Sequence, residues 1–469
     1  MTMSVKTKFD YDLVCIGSGP AGQRAAIQAA KLGKKVGIIE KSRVVGGACL
    51  DTGTIPSKTF REAVLAFSYG QSRLRKNGQS PSDRPTASLL LSRVREVIRV
   101  EGEVLGDQLF RNHVTMMRGD AAFLDPHTLR IVTESVSQRI TSDKILIAVG
   151  TLPTPPPGVP ADGKMVINSD GVLSLEQLPK TMAVVGAGVI GIEYASMFAD
   201  LGVEVTVVDR RDRPLEFLDK EIVDELIYQM RNKNVLFRLN EGVERLEISS
   251  GPRSRAIVHL ESGKRLLSDL VLYSVGRLGA TEVLNLKAAG LEADGRGRLA
   301  VNEYFQTSVP HIFAAGDVIG YPSLAATSSE QGRLAACYAF DFSTNPMVDH
   351  FPIGIYSIPE LSMVGKTEED LTRTKVPYET GIARYKEITR GAIMGDHTGF
   401  LKMLFHRDDH RLLGVHAIGT GATELIHVGQ AVIGLGGGLD YFMKTIFNYP
   451  TLAGCYKVAA FDAYNKLHD

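Results

Sequence analysis

Tyr11-Asp12-Leu13-Val14-Cys15-Ile16-Gly17-Ser18-Gly19-Pro20-Ala21-Gly22 is the stretch that decides how this chain folds. Its first half is a short apolar run, the pattern of a buried strand. Its second half sets three glycines into six residues. Gln23 to Leu32 then read as a helix closed by Gly33, and Val36 to Ile39 as a second strand ending in Glu40. A glycine triplet alone says little, because tight turns use glycine everywhere. Between a strand and a helix it says more. Gly17, Gly19 and Gly22 allow a tight turn and let a pyrophosphate approach the helix amino end, where unpaired N–H groups and the dipole favour anions. Glu40, 23 residues after Gly17, stands where a carboxylate accepts hydrogen bonds from an adenosine ribose.

The same unit returns in the second third of the chain. Met182 to Val185 is a strand, Gly186-Ala187-Gly188-Val189-Ile190-Gly191 is the turn, and Ile192 to Leu201 is a helix stopped by Gly202. Val203 to Val208 is the next strand, and Asp209 ends it, again 23 residues after the first glycine. Two units with matched spacing predict two dinucleotide sites, as hydride traffic between a flavin and a nicotinamide requires. Gly186, Gly188 and Gly191 are the phosphate-turn residues of the second site. Arg210, Arg211 and Arg213 follow Asp209 directly. Asp209 favours NAD by binding ribose hydroxyls and repelling a 2′-phosphate, whereas guanidinium groups would grip that phosphate. The turn reads either as a solvated charged loop or as a pocket that tolerates both NADP and NAD.

Composition sets the frame. At 469 residues the chain exceeds what one hydrophobic core can organise, so two to four domains are expected. It is 44% hydrophobic and 23% charged, with 53 basic against 53 acidic residues. That balance gives no electrostatic reason to expect nucleic acid or a membrane surface as partner. No run approaches a membrane span, and the polar start Met1 to Asp10 has no apolar signal core, so the cytoplasm is the expected compartment. Cys15, Cys49, Cys337 and Cys455 are scattered without metal-ligand spacing, which suits a reducing compartment and predicts no metal.

Between the two units, Ser68 to Pro85 reads as a polar surface loop. Leu90, Val94, Val97, Ile98, Val104 and Leu105 recur at helical spacing. Val114 to Val132 reads as short strands turning at Asp125-Pro126, and Ile145 to Thr151 as an apolar strand ending at Gly150. Pro153-Thr154-Pro155-Pro156-Pro157-Gly158-Val159-Pro160 is stiff and unable to continue a sheet, hence a linker.

Gly46-Gly47-Ala48-Cys49-Leu50-Asp51-Thr52-Gly53-Thr54-Ile55-Pro56-Ser57-Lys58 resembles the redox loop of the flavin disulfide reductases (the pyridine nucleotide-disulfide oxidoreductase family). The resemblance runs from about Tyr11 to the end. It implies an α/β fold with two Rossmann-like domains, for FAD and for NAD(P), and a carboxy-terminal α+β dimerisation domain. The expected boundaries are 1–152 and 276–347 for the two FAD segments, 153–275 for NAD(P), and 348–469 for the interface. It also implies that Gly316 and Asp317, in Thr307 to Asp317, belong to the second flavin motif, with Asp317 on the ribityl chain. Gly276-Arg277 would close the second nucleotide domain. A helix starting near Ala325 would point its positive end at the flavin, held without a covalent link. Lys58 and Glu193 resemble the ion pair beside the flavin, and Cys49 would lie on its other face.

Two departures give the functional expectation. The family's second cysteine is replaced by Thr54. Its carboxy-terminal histidine and glutamate positions hold Tyr449 and Gly454, in Asn448-Tyr449-Pro450-Thr451-Leu452-Ala453-Gly454. A hydroxyl cannot join a disulfide, and tyrosine, with an ordinary pKa of about 10, is a poor proton shuttle at neutral pH. Without a thiol relay, a homodimeric flavoprotein can still pass hydride from NADPH to NAD by alternating them at one site. Three rivals stay open. A lipoamide-type reductase would need Cys455 to reach Cys49 across a dimer. An NADH oxidase or peroxidase would use Cys49 as a sulfenic acid. A non-catalytic flavoprotein would bind FAD without turning over nucleotides.

Overall fold

The structure is a computed structural model describing residues 9–76, 85–156, 162–249 and 254–468. Tyr11–Ile16 sits at the centre of the first sheet, parallel to Val36–Glu40 on one side and Ser137–Ile147 on the other. Thr115–Arg118 extends the sheet beyond Val36–Glu40, and Ile312–Ala314 returns from far along the chain to pair with Ser137–Ile147. Val14 and Cys15 are both fully buried, so neighbouring residues on opposite faces are covered, as parallel strands flanked by helices must be. The amino half of Ser137–Ile147 continues into an antiparallel meander with Thr128–Val132 and Asp120–Asp125.

The second sheet is parallel throughout, in the order Leu236–Arg238, Glu204–Val208, Thr181–Val185, Leu270–Tyr273, Val166–Ile167. A small antiparallel sheet, Val243–Ile248, Ala256–Leu260 and Arg265–Ser268, packs beside it. The carboxy-terminal sheet is antiparallel, five-stranded, and carries the helices Ala422–Gly434 and Gly454–His468. The fold is thus α/β with two Rossmann-like units and a carboxy-terminal α+β unit. Among the described residues, no helix is long and apolar enough to cross a membrane.

Several boundaries differ from expectation for local reasons. The two fingerprint helices run Pro20–Lys31 and Val189–Asp200, each starting three residues before the sequence reading placed it. Pro20 suits a first helical position, where its fixed φ is helical and its missing N–H is not needed. Ser68 to Lys76 is not loop but the continuation of the helix Thr54–Lys76, while 77–84 lie outside the described residues. The linker is also shorter than expected. Thr151–Pro153 pairs with Arg277–Gly279, so the two crossings between nucleotide units run side by side as an antiparallel ribbon. Pro153 is tolerated because it ends that strand. Pro157 to Pro160 lie outside the described residues.

Candidate functional site

The two glycine turns are built alike. Gly17 and Gly186 share a φ of +103°, and a side chain on either would strike a backbone carbonyl, of Ala148 or Ser274. A side chain on Gly22 would strike the Gly17 carbonyl, and one on Gly191 the Gly186 carbonyl, so these glycines seat helix on strand. Gly19 and Gly188 are different: a side chain there would meet nothing within 4 Å. Both open spaces lie at helix starts with no side-chain cap. Free N–H groups beside open space fit the diphosphates of two dinucleotides.

The acidic strand ends brace these turns. Glu40, buried, accepts from Ser18 N at 3.0 Å, Ser18 Oγ at 2.5 Å and Ser42 N at 2.7 Å. Ser18 Oγ in turn accepts from Gly46 N at 3.0 Å, which ties the fingerprint to the Cys49 loop. Asp209 is the counterpart, accepting from Ala187 N at 2.5 Å. The bracing by Ser18 was not legible in sequence, since serine inside a glycine turn reads as spacer.

Gly316 and Asp317 lie beside the first fingerprint, where a side chain on Gly316 would meet that of Ala21. Gln331 Oε1 accepts from Gly316 N at 2.9 Å, and the helix Ala325–Ala339 approaches the first fingerprint helix where Gly332 meets the Ala21 backbone. Burial pushes the Asp317 carboxyl above its ordinary value, against the pull of the Arg277 guanidinium and the Ser328 and Thr151 hydroxyls. Arg277 donates to Thr151 Oγ1 and O at 2.8 Å each, holding the ribbon in which Gly150 and Gly276 form the bends, with φ of +65° and +83°.

Lys58 and Glu193 come together from 135 residues apart, with Nζ at 2.9 and 2.8 Å from the two carboxylate oxygens. Glu193 is 4% exposed and Lys58 25%. Tyr356, from the carboxy-terminal unit, donates its N–H to Glu193 Oε1 at 2.8 Å and lays its ring 5.0 Å from Lys58 Nζ. All three units therefore meet at this ion pair. The sequence motifs assign no role to Tyr356. Contacts made by a backbone N–H leave no trace in a motif.

Cys49 is half-buried on the short helix Gly47–Asp51. Burial raises its thiol pKa, opposed by the Thr54 hydroxyl, which hydrogen-bonds toward it, and by Lys58. Asp317 adds to the rise. All four cysteines are free. Cys455, the rival partner, is fully buried among Tyr385, Tyr456 and neighbours in its own core, which pushes its thiol up to about 12. Tyr449 is 76% exposed, its hydroxyl 2.7 Å from Thr389 Oγ1.

The arginine turn is arranged differently from its sequence reading. Asp209 and Arg211, expected to oppose each other, form a forked pair: Nε to Oδ1 at 2.9 Å and Nη2 to Oδ2 at 2.7 Å. Burial pushes the Asp209 carboxyl up, but the Arg211 side chain and the Arg211 and Ala187 N–H groups outweigh it and hold the pKa low. Arg210 pairs with Glu261, and Arg213 with Glu369 at 3.1 Å.

The chain matches the pyridine nucleotide-disulphide oxidoreductase family over residues 11–332 and that family's dimerisation domain over 351–460. It is 51% identical to a soluble pyridine nucleotide transhydrogenase of Mycobacterium tuberculosis, with 98% of each chain covered. It is 44% identical to one of Colwellia psychrerythraea, covering 99% of this chain and all of the relative. Among solved structures it resembles the HOCl-induced flavoprotein disulfide reductase RclA from Escherichia coli (TM-score 0.85, 27% identity, 97% and 99% of the chains). LpdA from Mycobacterium tuberculosis shares the fold (TM-score 0.88, 24% identity, 96% and 99%).

Proposed function

From the premise that the chain belongs to the pyridine nucleotide-disulphide oxidoreductase family, we propose that it transfers hydride between NADPH and NAD without a redox-active disulfide. The observation that carries this is Thr54 beside Cys49, with the other three cysteines buried elsewhere in the fold. The full-length relatives named transhydrogenases support it. FAD, when bound, would take hydride from one nicotinamide and give it to the next. The chain's residues do the rest. Gly17, Gly19 and Gly22 admit its diphosphate, while Glu40, Gly150, Gly316 and Asp317 line its sugar side. Lys58, held by Glu193, supplies a fixed cation that favours an electron-rich ring. Gly186, Gly188, Gly191 and Gly276 shape the nicotinamide nucleotide site. We propose one such site, which NADP leaves before NAD enters, so that direction follows concentration ratios. We place the domain boundaries at 152/153, 275/276 and 347/348. We place the protein in the cytoplasm as a homodimer, whose partner would cover Ile446 and Leu435, 92% and 87% exposed in the single chain.

The test mixes the protein under anaerobic conditions with NADPH and a thio-analogue of NAD. Hydride should appear on the analogue without added thiol or disulfide. Activity seen only with a disulfide substrate would return the protein to the reductases.

Cofactor choice gives a second expected result. Replacing Arg210 with a neutral residue should raise KM for NADPH about ten-fold or more, since a charge-assisted bond is worth roughly 1.5–3 kcal/mol, and leave NADH nearly unchanged, Arg211 being kept because it holds Asp209. Asp209→Asn should act oppositely, loosening Arg211 and removing repulsion from the phosphate. Equal damage to both nucleotides would show that Arg210 holds the turn and does not choose the ligand.

A further inference from the structure

We infer that Glu261 sets nucleotide preference by occupying Arg210 until a 2′-phosphate displaces it; this rests on the phosphate-binding reading of the arginine turn given above. Three observations point to it. First, Glu261 is fixed over the turn by backbone. Asn240 N donates to Arg211 O and Glu241 N to Asp209 O, both at 3.0 Å, so the segment 240–242 lies against the arginines. Glu261 N then donates to Gly242 O at 2.9 Å, and Ser262 N to Glu241 Oε1 at 3.1 Å. Second, Gly242 keeps the space in which the pair forms. A side chain there would meet the Glu261 carboxylate and Arg210 Nε, and its φ lies outside the left-handed range, so the glycine serves clearance rather than a turn.

Third, the three arginines differ in how easily their partners exchange. Arg211 is forked onto Asp209, 8% exposed, and releasing it would leave that carboxylate without its main partner. Arg213 is 22% exposed and also donates to Glu216 O at 3.0 Å. Arg210 and Glu261 are 71% and 49% exposed. An exposed pair of single charges contributes little to stability, and a phosphate bearing close to two charges is the stronger acceptor for a guanidinium. Glu261 therefore weakens 2′-phosphorylated nucleotides twice over, by competing for Arg210 and by repelling the phosphate, while an unphosphorylated adenosine ribose has no stake in the pair.

Binding of two fragments to the FAD-loaded protein tests this without any hydride transfer: adenosine 2′,5′-bisphosphate and adenosine 5′-monophosphate. Glu261→Gln should tighten the bisphosphate about three- to ten-fold, the scale of an exposed ion pair plus a removed like charge, and leave the monophosphate within about two-fold. Placed on Arg210→Met, the same change should give a clearly smaller gain, since only the repulsion is then left to relieve. An equal shift for both fragments, no shift for the bisphosphate, or a gain undiminished without Arg210 would overturn the inference. If Arg210→Met weakens the bisphosphate but Glu261→Gln is silent, the assignment of Glu261 alone fails. If Arg210→Met leaves the bisphosphate untouched, the arginine reading fails with it. Hydride transfer measured on the same preparations reports separately on the proposed activity.

Discussion

Lys58→Met is expected to lower kcat for hydride transfer by about 10- to 100-fold, the loss that follows when a charge-assisted contact worth roughly 1.5–3 kcal/mol disappears. Methionine keeps the length of the side chain and removes only its charge. The role we propose for Lys58, favouring an electron-rich flavin, also requires the flavin midpoint potential to fall in this variant. Glu193 sharpens the test. At 4% exposure it would keep the Tyr356 N–H as a hydrogen-bond donor but lose its cation, and a buried charge that loses its counter-ion typically costs about 3–5 kcal/mol. Thermal stability should therefore drop as well. Glu193→Gln can still accept from Tyr356 N–H but no longer fixes a cation, so it should show a smaller kcat loss. A Lys58→Met protein that is merely less stable, with kcat and flavin potential unchanged, would make the pair a strut between units and nothing more.

Lys402→Met should cause the largest loss of stability. Lys402, on the strand Phe400–His406, is 1% exposed, and its Nζ lies 3.0 Å from Asp219, 2.8 Å from Glu221 and 2.7 Å from Glu368. Asp219 caps the helix Lys220–Asn232 of the nucleotide unit, so the lysine joins that unit to the carboxy-terminal sheet. His416, buried alongside, bonds Lys366 O through Nε2 at 2.9 Å, and burial lowers its pKa, which keeps it neutral near pH 7. Removing the one cation leaves three carboxylates facing each other. A cost of about 3–5 kcal/mol is expected, a fall in Tm of roughly 6–15 °C.

The pH dependence follows from the signs. For Lys402, burial alone would lower the pKa, but Asp219, Glu221 and Glu368 raise it above the ordinary lysine value. Its contribution is complete below about pH 10 and is lost as pH rises through the raised value. Burial pushes the Asp219 carboxyl up, but the Lys402 ammonium outweighs it and holds the pKa low, so its contribution is complete above about pH 4 and is lost as pH falls through the depressed value. The difference in Tm between the wild-type protein and Lys402→Met should therefore be flat from about pH 5 to 9 and shrink at both ends. A difference that peaks sharply near pH 6.5 would put the effect on His416 instead.

Neither Lys402 nor Glu261 could be found from the sequence, while the two dinucleotide units could. The difference is one of range. A phosphate turn is made by backbone within six residues, and its glycines are demanded by local geometry: a +103° φ at Gly17 and Gly186, and no room for a side chain at Gly22 and Gly191. Strand, turn, helix and acidic strand end are therefore written consecutively, as is the Cys49 loop with Thr54 in place of a second thiol. Lys58 and Glu193 could be named only because each stands in such a local motif. What the tertiary structure decided lies between units. It set Tyr356 against Lys58 and Glu193, turned Arg211 onto Asp209, where a linear reading had the two opposed, and stood Glu261 over Arg210. It also buried Lys402 among carboxylates drawn from two units. A carboxylate 51 residues from its arginine carries no mark of the pairing, because the bond depends on how two turns stack and not on any spacing along the chain.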